Sequence, residues 1–311
     1  MTKIFTACPY GGLNRLEKVL RKRLHRNDFL ITDKDITHLD DTALYTNKER
    51  HSYKSFGSAF IRYPYDLIEQ HTKTYQAREH TEFIKTLALL FDKINLNSIQ
   101  KAHFARNRLY SLQKARECGL FTSSSFLIKK DNEKIELPPK IITKSLGNCY
   151  FSETLPKGTA KFTKTLLSSE KDGAETAYIY PPHVTDRNKI KSYIENFGTL
   201  FLQEKLTGEE YRIFVIDKEI FFYKREKKEK IDQSSAKLRR VVDAEVSNSD
   251  KAGLRRLQKS LGLRYLCLDA IVTDRLYIID INPFGSFPEN RNDSLVVDKV
   301  AELLLMYPKT E

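Results

Sequence analysis

No CxxC pair occurs among the four cysteines, and Cys8, Cys118, Cys149 and Cys267 stand far apart among apolar neighbours. That spacing excludes a thioredoxin-like redox motif and a local zinc-ribbon pattern, and it implies reduced, mostly buried thiols. The histidines show no metal-ligand spacing either: His25, His38, His51, His71, His80, His103 and His183 are scattered and read as surface or satisfied polar residues. No apolar run approaches the roughly 20 residues needed to cross a bilayer. The amino-terminal TKIFTACPYGG is too short and too soon broken for a secretory signal, so a cytoplasmic location is expected and no membrane partner. There is no internal repeat. Glycine is sparse in the mostly polar stretch from Gly147 to Thr163, which holds only Gly147 and Gly158.

What the chain does carry is length, apolar content and positive charge. Its 311 residues exceed one typical domain, and 40% hydrophobic with 11% aromatic residues can bury a sizeable core. The formal net charge of +12 is spread along the sequence, with local concentrations at Lys18 to Arg26, Lys224 to Lys230 and Arg239-Arg240. No nucleic-acid-binding motif of recognisable spacing accompanies it, so a nucleic-acid partner is not expected. An acidic peptide partner, or merely a lysine-rich proteome, is consistent with such a surface.

The most informative stretch is the pair YLCLDAIV (265 to 272) and LYIIDINPFGS (276 to 286). Read as a hairpin with a two-residue loop at Asp274-Arg275, it sets Thr273 against Leu276 and Asp269 against Asp280. Asn282 then points to the same face as Asp280. Directly opposed side chains have β-carbons about 5 Å apart, so two carboxylates there call for a cation between them. Carboxylate, carboxylate and amide are hard oxygen ligands suited to Mg²⁺ with a substrate phosphate completing the shell. The other reading of the same residues is a surface hairpin ending in an Asx turn before Pro283.

Phosphate-handling signals occur elsewhere in a consistent order. Asn107 is a candidate N-cap for a helix with Leu109, Leu112 and Ala115 on one side and Gly119 past its end, which places Arg108 in the first turn. The strand KIITK (140 to 144) ends in Lys144, a lysine among apolar neighbours that is costly without an anion. Further on, LFLQEKL (200 to 206) turns polar at Gln203-Glu204-Lys205, followed by Glu209-Glu210-Tyr211-Arg212 and the alternating IFVIDKEIFFY (213 to 223).

On AFIRYPYD (59 to 66), NRLYSLQKARECGLFTSSSF (107 to 126), IITKSLG (141 to 147), LFLQEKLTGEEYRIFVI and LGLRYLCLDAIVTDRLYIIDINPFGSF (261 to 287), the sequence resembles the ATP-grasp superfamily. The spellings are closest to its RimK-like branch and, within it, to the graspetide (microviridin-type) peptide ligases. The resemblance implies a mixed α/β ATP-grasp fold, with an α/β domain over residues 1–95, a central lid domain over 96–190 and a carboxyl-terminal domain over 191–311. It implies ATP and two Mg²⁺ ions as cofactors. Arg108 and Lys144 correspond to the phosphate-holding positions, where the first is ordinarily lysine; arginine keeps the charge and grips phosphate bidentately. Gln203, Glu204, Lys205 and Leu206 correspond to the adenine-contacting strand end, and Glu210 to the ribose position, with Glu209 as its alternative. Asp269, Asp280 and Asn282 match the metal positions, the middle one ordinarily glutamate. Arg212, Lys224 and Arg225 are candidates for stabilising an acyl phosphate, although a run such as KREKKEK (224 to 230) is usually solvated.

The remaining chain reads as a strand near Ile4 to Ala7, a basic amphipathic helix with Leu16, Val19, Leu20 and Leu24, a strand at Ala59 to Arg62, and a helix with Phe83, Leu87 and Leu90. A final helix is capped at Ser294, with Leu295, Val296, Val300, Leu303 and Leu304 as its buried stripe. Gly147 to Thr163 reads as a mobile loop over the phosphates, and SSEKDGAET (168 to 176) as loop or disorder. The function implied is an ATP-dependent carboxylate ligase acting on a precursor peptide with acidic core residues. A homodimer is compatible with it. A small-molecule ligase of the same superfamily and a non-catalytic basic nucleotide- or nucleic-acid-binding protein are the alternatives.

Overall fold

The computed structural model describes residues 3–8, 13–26, 28–47, 49–62, 75–129, 138, 140–144, 151–154, 176–179, 199–226, 238–241, 246–288 and 293–306. The chain opens with a parallel sheet in which β1 (Lys3–Ala7) lies between β2 (Phe29–Thr32) and β6 (Ser58–Ile61). Helix α1 (Asn14–Arg23) buries Leu16 and Leu20, as its apolar spacing predicts, and turns its basic side outward. A small antiparallel sheet of β3 (Ile36–Leu39), β4 (Ala43–Thr46) and β5 (Arg50–Ser52) follows β2. Helix α2 (Tyr75–Leu90) closes the far side of the parallel sheet through Ile84, Leu87 and Ala88, which join Phe5, Phe56 and Phe91 in one apolar cluster. Leu90 is exposed instead of buried.

Helices α3 (Ile99–Ala105) and α4 (Arg108–Glu117) come next. Asn107 caps α4 by accepting the Tyr110 N–H at 3.1 Å. Gly119 ends it at φ +78°, a left-handed conformation suited to glycine, with Leu120 N bonded back to Ala115 O. The short strand β7 (Phe121–Thr122) leads into β8 (Ser125–Ile128), β9 (Ile141–Lys144), β10 (Phe151–Thr154) and β11 (Thr176–Ile179). Most of the expected loop from 147 to 163, and 168 to 175, lies outside the described residues.

The carboxyl-terminal third supplies β12 (Leu200–Glu204), β13 (Glu209–Ile216), β14 (Glu219–Arg225), β15 (Leu238–Val241), helix α5 (Asn248–Leu261), β16 (Tyr265–Val272), β17 (Leu276–Asn282) and helix α6 (Leu295–Met306). The alternating segment 213 to 223 is not one strand but a hairpin. It folds at Asp217-Lys218, with Asp217 at φ +54° and Ile216 opposite Glu219. A six-stranded sheet runs in the order β15-β14-β13-β16-β17-β7, and a three-stranded sheet in the order β8-β12-β9.

β12 pairs with β8 and β9 from the preceding segment, while α3 and α4 pack on the six-stranded sheet with α5. One face of that sheet buries Ile213, Val215, Leu266, Leu268 and Ile278 against Leu112, Leu254 and Leu257. Each fully buried aliphatic side chain contributes about 1.5–3 kcal/mol. The other face buries Phe214, Tyr223, Tyr265 and Cys267 against α1, α6 and the parallel sheet. Helix α6 begins after Ser294, whose hydroxyl bonds to Asp298, and buries Val296, Val300, Leu303 and Leu304.

Candidate active site

The site candidates assemble where the second face of the six-stranded sheet stops being apolar. Along β13 the side chains on this face run Phe214, Arg212, Glu210; along β14, Phe221, Tyr223, Arg225; along β16, Cys267, Asp269. Register sets Arg212 between Tyr223 and Asp269, and Asp269 opposite Asp280.

The hairpin reaches the expected Asp269–Asp280 pair by a different route. The turn spans three residues, with Val272 rather than Thr273 opposite Leu276, which alone would shift the pairing by one. Ile279 is then an extra residue on β17, a bulge between the Ala270–Ile278 and Asp269–Asp280 pairs, and the second offset cancels the first. Gln203 holds the bulge from the neighbouring sheet: its Nε2 donates to Ile279 O at 3.1 Å, and it is wholly buried. Its Oε1 is buried with no hydrogen-bond partner.

Arginines neutralise the two aspartates. Arg212 grips Asp269 with Nε to Oδ1 at 2.9 Å and Nη2 to Oδ2 at 3.1 Å. Arg225 Nη2 donates to Asp269 Oδ1 at 3.2 Å, while its Nη1 lies 2.9 Å from Glu210 Oε1. Arg108, at the start of α4, reaches Asp280 with Nε to Oδ1 at 3.1 Å and Nη2 to Oδ2 at 3.4 Å. Three guanidinium groups thus meet three carboxylates, all six side chains 11–24% exposed. Burial opposes the charge of Arg212, but Cys267 and Asp269 beside it carry its pKa above the ordinary value. The Cys267 thiol is itself pushed by burial to about 12, so at neutral pH it is uncharged and Asp269 is the effective counter-ion.

The structure joins Glu210, Arg212, Arg225 and Asp269 in one network, sets the Arg108–Asp280 pair next to it across the β16–β17 register, and bonds Gln203 to the adjoining bulge. Asn282 shares the Asp280 face and sits opposite Cys267. Its Oδ1 accepts the Phe284 N–H at 2.9 Å, so the Asx turn before Pro283 exists alongside the opposed aspartates. Lys224 is separated from the network. It lies across from Tyr211 on the opposite face and pairs with the exposed Glu209, which also accepts the Tyr211 hydroxyl at 3.0 Å. Arg225, by contrast, is a half-buried strand residue and not part of a solvated loop. Lys144 ends β9 opposite Phe201, and its side chain lies outside the described residues. Glu204 accepts the Ser124 N–H at 3.3 Å and donates its own N–H to Ser124 O; Lys205 N bonds Lys140 O, and Leu206 is half-buried beyond the strand end.

Two supports escaped sequence reasoning. Asn97, fully buried, donates to Tyr265 O and Pro283 O at 2.7 Å and accepts from Arg264 N and Tyr265 N at 3.0 Å, pinning both ends of the β16–β17 hairpin. Gly285 lets the chain pass Cys267, where a β-carbon would come within 2.4 Å of the cysteine's own. An asparagine before a helix and a glycine after Asn-Pro give only local signals, and both act across long sequence separations. A surface cavity of about 310 Å³ lined by Lys101, Phe104, Tyr110 and Lys259 contains none of the candidate residues.

Among the described residues no three His, Cys, Asp or Glu side chains form a metal cluster. No described helix is long and apolar enough to cross a membrane.

The arrangement of helices and sheets is that of the ATP-grasp fold, shared with solved structures over nearly the whole chain. The particular structures it resembles are peptide ligases among others. The macrocyclase MdnC of Microcystis aeruginosa MRC, bound with precursor peptide MdnA, matches over 98% of this chain and 99% of that one, with a TM-score of 0.68 and 17% identity. A Chryseobacterium gregarium RiPP-associated ATP-grasp ligase in complex with ADP and a leader and core peptide covers 98% of this chain and 97% of its own, at TM-score 0.67 and 15% identity. D-alanine–D-alanine ligase from Bacillus anthracis complexed with ATP matches more loosely, at TM-score 0.54, 11% identity and coverage of 99% and 97%. No protein-family model matches the sequence, and no curated protein matches it.

Proposed function

We propose that this chain is an ATP- and Mg²⁺-dependent ligase that activates a side-chain carboxylate of a peptide and joins it to a hydroxyl or amine. The observation that carries the reading is the Asp269–Asp280 pair ringed by Arg108, Arg212 and Arg225 at the apolar-to-ionic border of the sheet. It is supported by fold likeness to ligases solved with precursor peptides, ADP or ATP.

The residues fit the nucleotide and metal. The buried, unpartnered Gln203 Oε1 is an acceptor in want of a donor, and an adenine amino group supplies one. Asp269, Asp280 and Asn282 are the oxygen donors for Mg²⁺, which takes one or two carboxylates and completes its shell with substrate phosphate and water. When bound, the metal neutralises charge on the phosphates. Arg108 and Lys144 hold the phosphates, Glu210 the ribose, and Glu204 with Leu206 the adenine edge through their backbone.

A peptide carboxylate oxygen attacks the γ-phosphorus, ADP leaves, and an acyl phosphate forms. The hydroxyl or amine then adds to the acyl carbon, loses its proton to solvent and expels phosphate, leaving an ester or amide. Phosphoryl transfer needs positioning and charge neutralisation more than a protein nucleophile, and Arg212 and Arg225 are assigned to steadying the transferred group. Lys224 is left out because it faces away. The chain's positive charge, +12, favours an acidic peptide as the acceptor's carrier.

The test is mass spectrometry of acidic candidate peptides incubated with the protein, ATP and Mg²⁺, alongside free amino acids. Loss of one water per new bond in a peptide, dependent on ATP, is expected. ATP turnover with small amino acids alone would favour the small-molecule ligase.

A further inference from the structure

Both carboxylates assigned to magnesium are already occupied by the chain's own guanidinium groups, and the two occupations differ in kind. Arg212 is the cross-strand neighbour of Asp269 in continuous sheet register, so its position is set by the sheet that carries its partner. Arg108 belongs to no strand. It is the first residue of α4 and reaches Asp280 across 172 residues of sequence, with one nitrogen on each carboxylate oxygen. A carboxylate gripped at both oxygens by a cation presents a poor site to a divalent ion, and a guanidinium held by a carboxylate is a poor site for phosphate.

Resting on the nucleotide reading above, we infer that Arg108 and Asp280 are each other's stand-in ligands, exchanged when nucleotide and metal enter together. Arg108 moves to phosphate as Asp280 turns to the metal. Each ligand alone must break the pair without replacing both halves of it, so each is weak alone. Linkage makes the gain reciprocal: ADP strengthens metal binding by the same factor by which metal strengthens ADP binding.

Calorimetric titration of Mn²⁺ into the full chain with and without ADP, and of ADP with and without Mn²⁺, tests the exchange. Arg108→Lys keeps the charge but cannot grip both oxygens. Its Mn²⁺ affinity without ADP is expected to rise about tenfold, with the enhancement by ADP shrinking to match. Asp280→Asn releases Arg108, so its metal-free ADP affinity rises; Asp269→Asn removes the same charge, frees Arg212 and Arg225 but leaves the Arg108–Asp280 pair, and shows a smaller rise. Unchanged or weaker nucleotide-free Mn²⁺ binding in Arg108→Lys, or equal ADP gains in the two asparagine variants, would overturn the exchange and leave the nucleotide site standing. Mn²⁺ affinity in the unaltered chain that does not respond to ADP would overturn both.

Discussion

The two faces of the six-stranded sheet are made by the same strands and do opposite things. On one face Ile213, Val215, Leu266, Leu268 and Ile278 form an apolar layer against α3, α4 and α5. On the other, Phe214, Tyr223 and Cys267 continue into Arg212, Arg225 and Asp269 one or two pleats further on. Period-two alternation lets each strand carry both programmes, and the line where apolar gives way to ionic crosses three strands at nearly the same height. A half-buried ionic patch with balanced charge is weak evidence for stability, since desolvation offsets much of the attraction. Its retention there points to chemistry, whereas the opposite face points to folding.

The comparison can be sharpened by substitutions. Leu268→Ala on the apolar face is expected to lower stability by about 2–5 kcal/mol, by transfer and cavity effects together, with urea unfolding as the measurement and nucleotide affinity of the remaining folded protein unchanged. Arg212→Met should cost less stability, about 1–3 kcal/mol, because Arg225 still faces Asp269, but ligation measured by mass spectrometry should be lost. A stable Arg212→Met protein with full ligation would erase the distinction between the faces.

Smaller effects follow. Burial raises the Cys267 pKa from the ordinary 9.0 to about 12, so the unfolded chain releases this proton at lower pH than the folded one. Stability from this group is therefore present below pH 9 and lost as pH rises toward 12. Cys267→Ala should flatten that part of the alkaline stability profile in thermal unfolding from pH 8 to 11. Smallest of all is Lys224→Gln. Its partner Glu209 is largely exposed, and such solvated pairs contribute little. Ligation kinetics should stay within a factor of about two, an effect of a few tenths of a kcal/mol. A large loss of turnover there would return Lys224 to the site.

Much of this was legible in the sequence where local signals decide. The Asn107 cap and Gly119 stop around α4, the buried stripes of α1 and α6 and the strand at Ile4 to Ala7 all rest on short-range pattern. The Asp269–Asp280 pairing was legible for a partly accidental reason, since the longer turn and the Ile279 bulge each shift the register and together restore it. A bulge leaves no mark in period-two patterning when its neighbours are all apolar. Sequence reasoning asked for a cation between the aspartates and missed the arginines that grip each of them, because Arg108 and Arg225 approach from elements far away in the chain. Lys224 and Arg225 are adjacent in sequence and on opposite faces; strand register separates them, and a charge run hides it.

A crystal of the protein grown with Mn²⁺ and a nonhydrolysable ATP analogue tests the central assignment most directly. The account predicts an anomalous manganese peak at coordinating distance from carboxylate oxygens of Asp269 and Asp280, with the phosphates beside Arg108. A nucleotide bound away from β16 and β17, with both aspartates still paired to arginine, would contradict it.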